Sequence, residues 1–434
     1  MGPTRRRLFL ASMGLPAAGF LSRAGAAGDV DPGVAPLSRA PLRFPADHAA
    51  HPGTRIEWWY VTGYLSLEAQ GAVGAAGAAS WRYGPRGASA GASDAAGGSA
   101  GAARGDSSRD AAPATVDFGF QLTFFRSRTG LAASSTSRFA PRQLVFAHAA
   151  LTDLGHAGAP PRLSHDQRIA REGFGLATTP APPDRPLAVS LGDWSLARES
   201  LGVEAGEDDA AARLSLAVRT EAFALSLVLD RTQPLLRQGD AGWSRKGPGP
   251  EEASRYYSEP QLAVSGTLER SGADSHGAPR AVRGRAWLDH EWSQQLMSPE
   301  AVGWDWIGIN LVDGGALTAF QLRRADGSAS WAGGSWRAAG ARASRAFAPE
   351  EVRMSPGRTW RSAATEGRYP VEWTIATPAG RHVLRALLDD QELDSRGSTG
   401  SVYWEGLAEL LDEGGRRVGL GYLEMTGRAG RLRL

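Results

Sequence analysis

The sequence contains no cysteine and a single lysine, Lys246, among its 434 residues. The absence of cysteine excludes disulfide bonds, thiolate metal sites, a cysteine nucleophile and a lipoprotein anchor. Almost all of the basic charge is carried by arginine, a preference that we attribute to the composition of the coding genome.

An excess of charge of one sign is also missing. The chain has 48 basic and 46 acidic residues, which leaves a formal net charge of +2. This balance gives neither a basic field for nucleic acid nor an acidic tail. The sequence has no G-x-G-x-x-G turn and no phosphate loop. We therefore expect no nucleic-acid partner and no nucleotide cofactor.

The N-terminal residues have the pattern of an export signal. Arg6-Arg7, one further residue and Phe9-Leu10 precede an apolar run to Leu21, and Ala24-Gly25-Ala26 offers a small-residue cleavage site. This pattern predicts a twin-arginine signal peptide over residues 1–26 and a periplasmic or secreted mature protein. An ordinary secretory signal or an uncut basic anchor is the alternative. No later segment approaches the roughly 20 apolar residues of a spanning helix, so we expect no integral membrane segment after signal removal.

Residues 69–115 form a run of Ala, Gly and Ser with almost no apolar side chains. Such a segment cannot bury enough surface to offset its ordering entropy, so we predict a disordered insertion between two strands. Within it, Gly87-Ala88-Ser89-Ala90-Gly91 matches the nucleophile-elbow pattern by letter. That chemistry needs a strand before the serine and a helix after it. Neither is indicated, and this argues against a secreted hydrolase.

Alternating apolar and polar residues elsewhere predict short antiparallel strands and an all-β fold. The predicted strands span 57–67, 116–126, 144–153, 187–196, 213–219, 222–230, 286–292, 303–311, 315–323, 371–377, 381–388, 400–409 and 417–426. The sole hint of helical period is the short segment 406–411. Val264–Leu268 repeats the pattern of Val61–Leu65, which suggests the first strand of a second, similar barrel. We therefore predict an N-terminal barrel over 42–255 and a C-terminal barrel over 256–434.

Asp305 is the first candidate for catalysis. In a strand over 303–311 it shares a face with Ile307, Ile309 and Leu311, because successive side chains of a strand point to opposite faces. Burial among apolar groups raises the pKa of a carboxyl group, so Asp305 could hold a proton near neutral pH and act as an acid. The alternative is a buried aspartate that bonds the backbone at a barrel rim.

His290 is the second candidate, since it shares a face with Leu288 and Trp292. A strand–turn–strand pairing would bring it to Asp305 as a general base or as an orienting group; a core histidine is the alternative. Asp289 and Glu291 point the other way, so these three neighbours cannot converge on an ion, and we predict no metal site.

Glu57 and His148 could also reach a pocket. Glu57 lies on the face of Trp59, and His148 on the face of Leu144 and Phe146. Each could equally belong to a barrel rim or a core. An aromatic-lined barrel with one protonated acid would suit a long apolar ligand. It could protonate a carbon–carbon double bond and have water add to the cation, a reaction that needs no cofactor. A lipid carrier or chaperone without chemistry is the second interpretation.

Several ordered motifs resemble the AttH/CrtC-like family of tandem lipocalin-like proteins, whose named enzymes are carotenoid 1,2-hydratases. The resemblance covers roughly residues 42–428. The motifs are Glu57-Trp58-Trp59-Tyr60, Gln121–Arg126, Ala147–Asp153, Tyr256-Tyr257-Ser258, Trp287–Trp292, Gly303–Trp306, Tyr403–Gly406 and Gly421–Gly427.

The resemblance implies two lipocalin-like antiparallel β-barrels in tandem and addition of water to an apolar isoprenoid or lipid-like substrate. It implies that Asp305 is the acid and that His290 and Trp292 form a His-x-Trp element. A tyrosine that the family has shortly before the aspartate has no counterpart, because Gly303 and Trp304 stand there. The residues expected around the substrate are Trp292, Trp304, Trp306, Glu57, Trp59, His148 and Tyr257.

Overall fold

A computed structural model describes residues 36–68, 115–130, 135–155, 159–179, 187–199, 212–271 and 278–430. The predicted signal peptide and residues 69–114 of the predicted insertion lie outside these ranges. The described residues fall within one compact unit, Gly33–Leu434. They contain two short 3-10 helices, Ala46–His48 and Pro349–Glu351, and strands make up all other regular structure. Among them, no helix has the length and apolar character needed to cross a membrane.

The first sheet has thirteen antiparallel strands. They are β1 (Ile56–Leu67), β2 (Phe118–Arg128), β3 (Gln143–Asp153), β4 (Arg162–Arg171), β5 (Ala177–Thr178), β6 (Ala188–Leu191), β7 (Trp194–Arg198), β8 (Arg213–Arg219), β9 (Phe223–Asp230), β10 (Leu236–Arg237), β11 (Trp243–Arg245), β12 (Ala253–Arg270) and β13 (Arg280–Ser293). Its order is β4-β3-β2-β1-β13-β12-β9-β8-β7-β6-β5, with β10 and β11 paired to β12. Since β6 packs beside β3 and β4, the sheet curls into a nearly closed barrel.

The second sheet has ten strands. They are β14 (Gly303–Leu311), β15 (Ala316–Arg323), β16 (Ala329–Arg337), β17 (Arg345–Phe347), β18 (Arg353–Pro356), β21 (Glu372–Thr377), β22 (Gly380–Ala386), β23 (Glu392–Ser395), β24 (Ser401–Leu411) and β25 (Arg417–Met425). Their order is β17-β16-β15-β14-β25-β24-β22-β21-β18, with β23 paired to β24. A small hairpin, β19 (Thr359–Arg361) and β20 (Arg368–Pro370), forms a separate sheet. The prediction of an all-β fold with two antiparallel barrels is confirmed.

The change from one sheet to the other comes later in the chain than the predicted boundary. Position 255/256 lies inside β12, and β12 and β13 both belong to the first sheet. There β13 pairs with β1, while β12 pairs with β9, so the first barrel needs residues up to Ser293. The segment that we predicted to open the second barrel, Val264–Leu268, is therefore part of the first. The second sheet begins at Gly303.

Each sheet encloses its own packed core, and the two sheets meet through their outer faces. The inner side chains of β1, such as Trp59 and Val61, belong to the first core, whereas Ile307 and Ile309 belong to the second. A third apolar cluster joins the outer faces: Tyr60, Tyr64, Leu236, Trp287, Trp306, Ala316, Leu407, Leu420 and Tyr422. Polar contacts strengthen this junction, since the Gln261 backbone N–H donates to Asn310 Oδ1 at 2.7 Å.

Candidate active site

A cavity lies between the two sheets, against the outer faces of both. Its volume is about 110 Å³, below the usual size range of small-molecule sites. Its wall is aromatic and carboxyl-rich: Trp58, Tyr60, Thr123, Phe125, Ser244, Lys246, Tyr256, Asp289, Glu291, Leu296, Met297, Trp304, Trp306, Phe320, Leu322, Glu405 and Glu424.

Strand alternation explains which side chains of the first sheet reach this cavity. On β1, Trp58 and Tyr60 face outward, and on the neighbouring strand β13 the outward positions are Asp289 and Glu291. The register places Tyr60 opposite Asp289 and Trp58 opposite Glu291. Each of these carboxyl groups therefore stands directly beside an aromatic side chain at the cavity wall.

The second sheet supplies two more carboxyl groups, Glu405 from β24 and Glu424 from β25. These residues are directly opposite each other in the antiparallel pair, and Trp306 of β14 is the partner of Glu424 on its other side. Like charges at directly opposite positions are unfavourable. The pair is therefore more stable when at least one of the two carboxyl groups holds a proton.

Asp289 accepts three hydrogen bonds. Its donors are the Tyr256 hydroxyl at 2.7 Å, the Ser258 hydroxyl at 2.5 Å and the Trp287 indole N–H at 2.6 Å. Burial raises the pKa of Asp289, the three donors lower it and Glu291 raises it again, which leaves it at about 7. Asp289 can therefore take up or release a proton near neutral pH, while its donors favour the anion.

The pKa values of Glu405 and Glu424 are both raised, which favours the protonated carboxyl group. Burial, and then Glu424, raise the pKa of Glu405 well above its usual range. Burial also raises the pKa of Glu424, an effect that the negative charges of Asp289 and Glu291 reinforce. The Gln121 amide N–H donates to Glu405 Oε2 at 2.7 Å. The Tyr60 and Tyr403 hydroxyls interact with the Glu405 carboxyl group and lower its pKa, but less than burial and Glu424 raise it.

Of the predicted site residues, Trp304 and Trp306 line this cavity. Asp305 lies between them in sequence and points to the opposite side, into the core of the second sheet. Its carboxyl group is fully buried and ion-paired with Arg323 Nε at 2.8 Å and Arg428 Nη2 at 2.7 Å. The Gln321 amide donates to the same group at 2.9 Å. Both carboxyl oxygens of Asp305 are thus occupied by these partners on the side away from the cavity, so Asp305 does not reach a molecule bound there.

The predicted pairing of His290 with Asp305 is wrong. Strands β13 and β14 do not form a hairpin: they belong to different sheets, and each residue points into its own core. His290 Nε2 instead lies 2.8 Å from Glu57 Oε1, and its Nδ1 lies 3.1 Å from the Tyr257 hydroxyl. Burial lowers the pKa of His290, an effect that Glu57 opposes.

Glu57, Trp59, Tyr257 and Trp292 surround His290 inside the first barrel and do not line the cavity. The partners of Glu57 include Arg126 Nε and His51 Nδ1, each at 2.8 Å. The first barrel interior is filled by this network and by apolar side chains. The expectation that a ligand lies inside a barrel with these residues does not match the arrangement seen.

Among the described residues, one group of three side chains has the spacing of a metal site: His51, Glu57 and His290, with ligand atoms within 4.8 Å of one another. The Glu57 oxygens already accept hydrogen bonds from Arg126 and from the His51 backbone N–H. A guanidinium group in contact with the carboxylate opposes a second cation. The donor set therefore fits a hydrogen-bonded network better than a metal ion.

His148 lies on the outer face of the first sheet, beside the cavity but not in its wall. Its Nδ1 is 2.8 Å from the Tyr403 hydroxyl, and its Nε2 is 2.8 Å from Ser398 Oγ. Burial lowers the pKa of His148 to about 3. It is a neutral residue that links the two sheets.

The sequence alone did not indicate that the four carboxyl groups and Lys246 form a single site. Asp289 and Glu291 were recognised as facing away from His290, but the surface that they face was not predictable from their own strand. The available signal was the recurrence of a carboxyl group among aromatic residues in three motifs: 287–292, 403–406 and 421–427.

Comparison with known proteins identifies relatives of this chain. The AttH-like family matches residues 111–428. A solved structure of an AttH-type protein from Nitrosomonas europaea is 40% identical, with a TM-score of 0.69, and the alignment covers 91% of this chain and 100% of that one. Kievitone hydratase from Nectria haematococca is 13% identical, with a TM-score of 0.57 and coverage of 91% and 96%, a likeness of fold. No curated protein gives a significant sequence match.

Proposed function

Because this chain belongs to the AttH-like family and holds four carboxyl groups in the cavity between its sheets, we propose that it is a hydratase. It would add water across a carbon–carbon double bond of a largely apolar, isoprenoid or lipid-like substrate. The observation that carries this proposal is the set of carboxyl groups with raised pKa at an aromatic wall. A protein that shares the fold, kievitone hydratase, bears a hydratase name.

The two best-placed carboxyl groups have environments suited to opposite roles. Glu405 has a strongly raised pKa in the cavity wall, so we assign it the role of proton donor. Asp289 accepts three hydrogen bonds that favour its anion, so we assign it to orient the water and accept its proton. Pairs of titratable groups with divergent environments are typical of acid–base catalysis.

The cavity wall suits an apolar substrate. Trp58, Trp304, Trp306 and Phe125 present aromatic surface, and an aromatic face also stabilises a cation that develops at a protonated double bond. The same wall would suit a carrier of a hydrophobic ligand, which is the alternative function. Four desolvated carboxyl groups favour the hydratase, because burying them has a free-energy cost that a carrier of apolar molecules does not require.

The test of this proposal is incorporation of oxygen from heavy-oxygen water. Purified protein is incubated with an acyclic carotene in detergent, and the product is analysed by mass spectrometry for one added labelled water. We expect label with the unaltered protein and a loss of about 100-fold or more for Glu405→Gln and Asp289→Asn, the usual size of a general acid–base contribution.

Asp305→Asn is the matched control, because it neutralises a buried carboxyl group that does not line the cavity. Its rate per folded molecule should stay close to that of the unaltered protein. Loss of label with Asp305→Asn but not with Glu405→Gln would place the chemistry inside the second sheet and contradict the proposal. Bound carotene without any label would support the carrier.

We also propose export through the twin-arginine route, on the strength of Arg6-Arg7 and the apolar run that follows. Substitution of both arginines by lysine should retain the precursor in the cytoplasm, as judged by cell fractionation. Export that continues unchanged would support an ordinary secretory signal.

A further inference from the structure

Lysine occurs once in this chain, and it lies in the wall of the cavity. Of the 48 basic residues 47 are arginine, so a single position keeps a primary amine. Arginine retains its proton in proteins, whereas a buried lysine can lose its proton and act as a nucleophile. The single lysine therefore places a primary amine in the cavity wall.

Lys246 follows β11 and reaches into the cavity wall between Ser293, Glu291 and Trp58. Its Nζ lies 2.9 Å from Ser293 Oγ, 3.9 Å from Glu291 Oε1 and 6.0 Å from the centre of the Trp58 ring. The backbone N–H of Lys246 donates to Glu252 O at 2.8 Å, which fixes the start of the side chain. Lys246 is 7% exposed. The amine is therefore held at the cavity by named contacts on three sides.

Burial lowers the pKa of Lys246 to about 8, although Glu291 opposes the shift. Burial also raises the pKa of Glu291, which Lys246 and Ser254 in turn lower. A substantial share of the amine is thus neutral near physiological pH, and a carboxyl group lies beside it to exchange protons. Desolvated lysines of this kind are the ones that form Schiff bases with carbonyl compounds.

We propose that Lys246 is a catalytic nucleophile that forms a Schiff base, and that the substrate is an α,β-unsaturated aldehyde or ketone. This inference rests on the proposed hydratase function and names the substrate class of the same cavity. An isolated alkene must be protonated to a carbocation before water can add. A double bond conjugated to an iminium group accepts water directly. No strong acid is then needed to protonate the alkene, so carboxyl groups with raised pKa are sufficient.

The reaction balances with water as the sole co-reactant. The neutral Lys246 amine attacks the carbonyl carbon; Glu291 supplies the proton with which the carbonyl oxygen leaves as water, and a C=N bond replaces C=O. Water adds to the β-carbon while Asp289 takes its proton, and the double bond shifts to give an enamine. Glu405 protonates the α-carbon and restores the iminium. Hydrolysis then releases a β-hydroxy aldehyde or ketone and the free amine.

Reductive trapping tests this directly, because the chain has one lysine. The full-length protein is incubated with citral, an isoprenoid α,β-unsaturated aldehyde, and sodium cyanoborohydride, and the adduct is located by peptide mass spectrometry. We expect a single side-chain adduct, at Lys246. Unfolding in urea should slow its formation about a hundredfold, because the amine then regains the ordinary lysine pKa of about 10.4.

The native-against-urea comparison uses the unaltered protein and does not depend on a variant that folds. Lys246→Arg keeps the positive charge without a nucleophilic amine and should abolish the adduct. The N-terminal amine, which is labelled in every sample, serves as the internal reference. Labelling of Lys246 no faster in the native protein than in urea would overturn the proposal.

Failure of this inference can be told apart from failure of the hydratase function. Hydration of citral by Lys246→Arg at the rate of the unaltered protein would exclude the Schiff base and leave the hydratase function in place. An adduct at Lys246 in native protein, without any hydration of citral, would support the nucleophile and contradict the hydratase.

Discussion

Glu57 and Glu405 are both buried carboxyl groups, yet their neighbours give them opposite properties. Burial alone would raise the pKa of Glu57, but His51, His290 and Arg126 together hold it far below its usual range. No cationic side chain lowers the pKa of Glu405; burial raises it, and Glu424 raises it further. Glu57 is consequently a carboxylate that stabilises the fold, whereas the Glu405 carboxyl group retains its proton.

Glu57→Gln should destabilise the protein strongly. The substitution leaves the buried Arg126 guanidinium, now 2.8 Å from an amide, without its compensating charge. We expect a loss of about 3–5 kcal/mol in the free energy of unfolding, the usual cost of removing one partner of a buried ion pair. Urea denaturation measures it.

The control for this variant is Glu269→Gln, which removes a partly exposed ion pair with Arg219 at 3.6 Å. It should cost about 1 kcal/mol or less. Equal costs for the two variants would contradict the structural role of Glu57.

At the level of single residues, the sequence correctly predicted which face of a strand each side chain lies on, but not which residues it contacts. Alternation placed Asp305 with Ile307 and Ile309, and His290 with Leu288 and Trp292, as the structure has them. The arginines that pair with Asp305 come from β15 and from the segment after β25. No local pattern connects these residues, so the sequence could not distinguish a buried acid from a buried ion pair.

At the level of elements, strands with clear alternation were predictable and the others were not. The predicted 213–219 and 303–311 match β8 and β14 to the residue. Strand β4 was missed because it is mostly polar and half-buried along its length. The hint of a helix at 406–411 was wrong: this segment lies in β24, where burial on both faces removes the alternation that marks a strand.

Gly284 illustrates how closely two of these elements approach. It is paired with Leu65 of β1, and a Cβ atom at this position would lie 1.8 Å from the Tyr64 carbonyl oxygen. Gly284→Ala should therefore push β13 away from β1 and destabilise the protein by about 3 kcal/mol, the upper range for overpacking. Thermal or urea denaturation measures the change.

Gly53→Ala is the matched control, because a Cβ atom there meets nothing within 4 Å. Its stability should stay within about 0.5 kcal/mol of the unaltered protein, as for surface substitutions in general. A neutral Gly284→Ala would mean that β1 and β13 are not in the close register described.

At the level of the whole molecule, the candidate site arises where two barrels join. Both interiors are packed, and the cavity exists because outward-facing residues of β1 and β13 meet those of β14, β24 and β25. Sequence patterns indicate which residues face outward, but the way that two sheets dock depends on contacts between distant segments. For this reason the fold was predictable and the location of the cavity was not.

The cavity should also shape the pH dependence of stability. Burial raises the pKa of Asp289 to about 7 and raises that of Glu405 and Glu424 as well. Below about pH 6.5 the buried histidines, such as His148 and His290, oppose this effect, because burial lowers their pKa and the unfolded chain binds protons at these residues. Above about pH 7 the raised carboxyl groups dominate, so the free energy of unfolding should fall from about pH 7 to about pH 8. Urea titrations across this range measure the slope.

Glu405→Gln combined with Glu424→Gln should flatten this slope and stabilise the protein at the alkaline end. Below about pH 4.5 the opposite sign applies, since Glu57 and Glu259 have lowered pKa values and lose their stabilising charge as they are protonated. A free energy of unfolding that rises from pH 7 to pH 8 in the unaltered protein would contradict the protonation proposed for the cavity.

The most direct test of the central claim is to detect the protonated carboxyl groups themselves. Infrared difference spectroscopy between near-neutral and alkaline pH reports the carbonyl stretch of a protonated carboxyl group without any substrate. We expect such a band near neutral pH that loses most of its intensity when Glu405→Gln and Glu424→Gln are combined, with the contribution of Asp289 remaining, and that is retained in Asp305→Asn. A band that is absent from the unaltered protein, or that disappears with Asp305→Asn alone, would contradict this expectation.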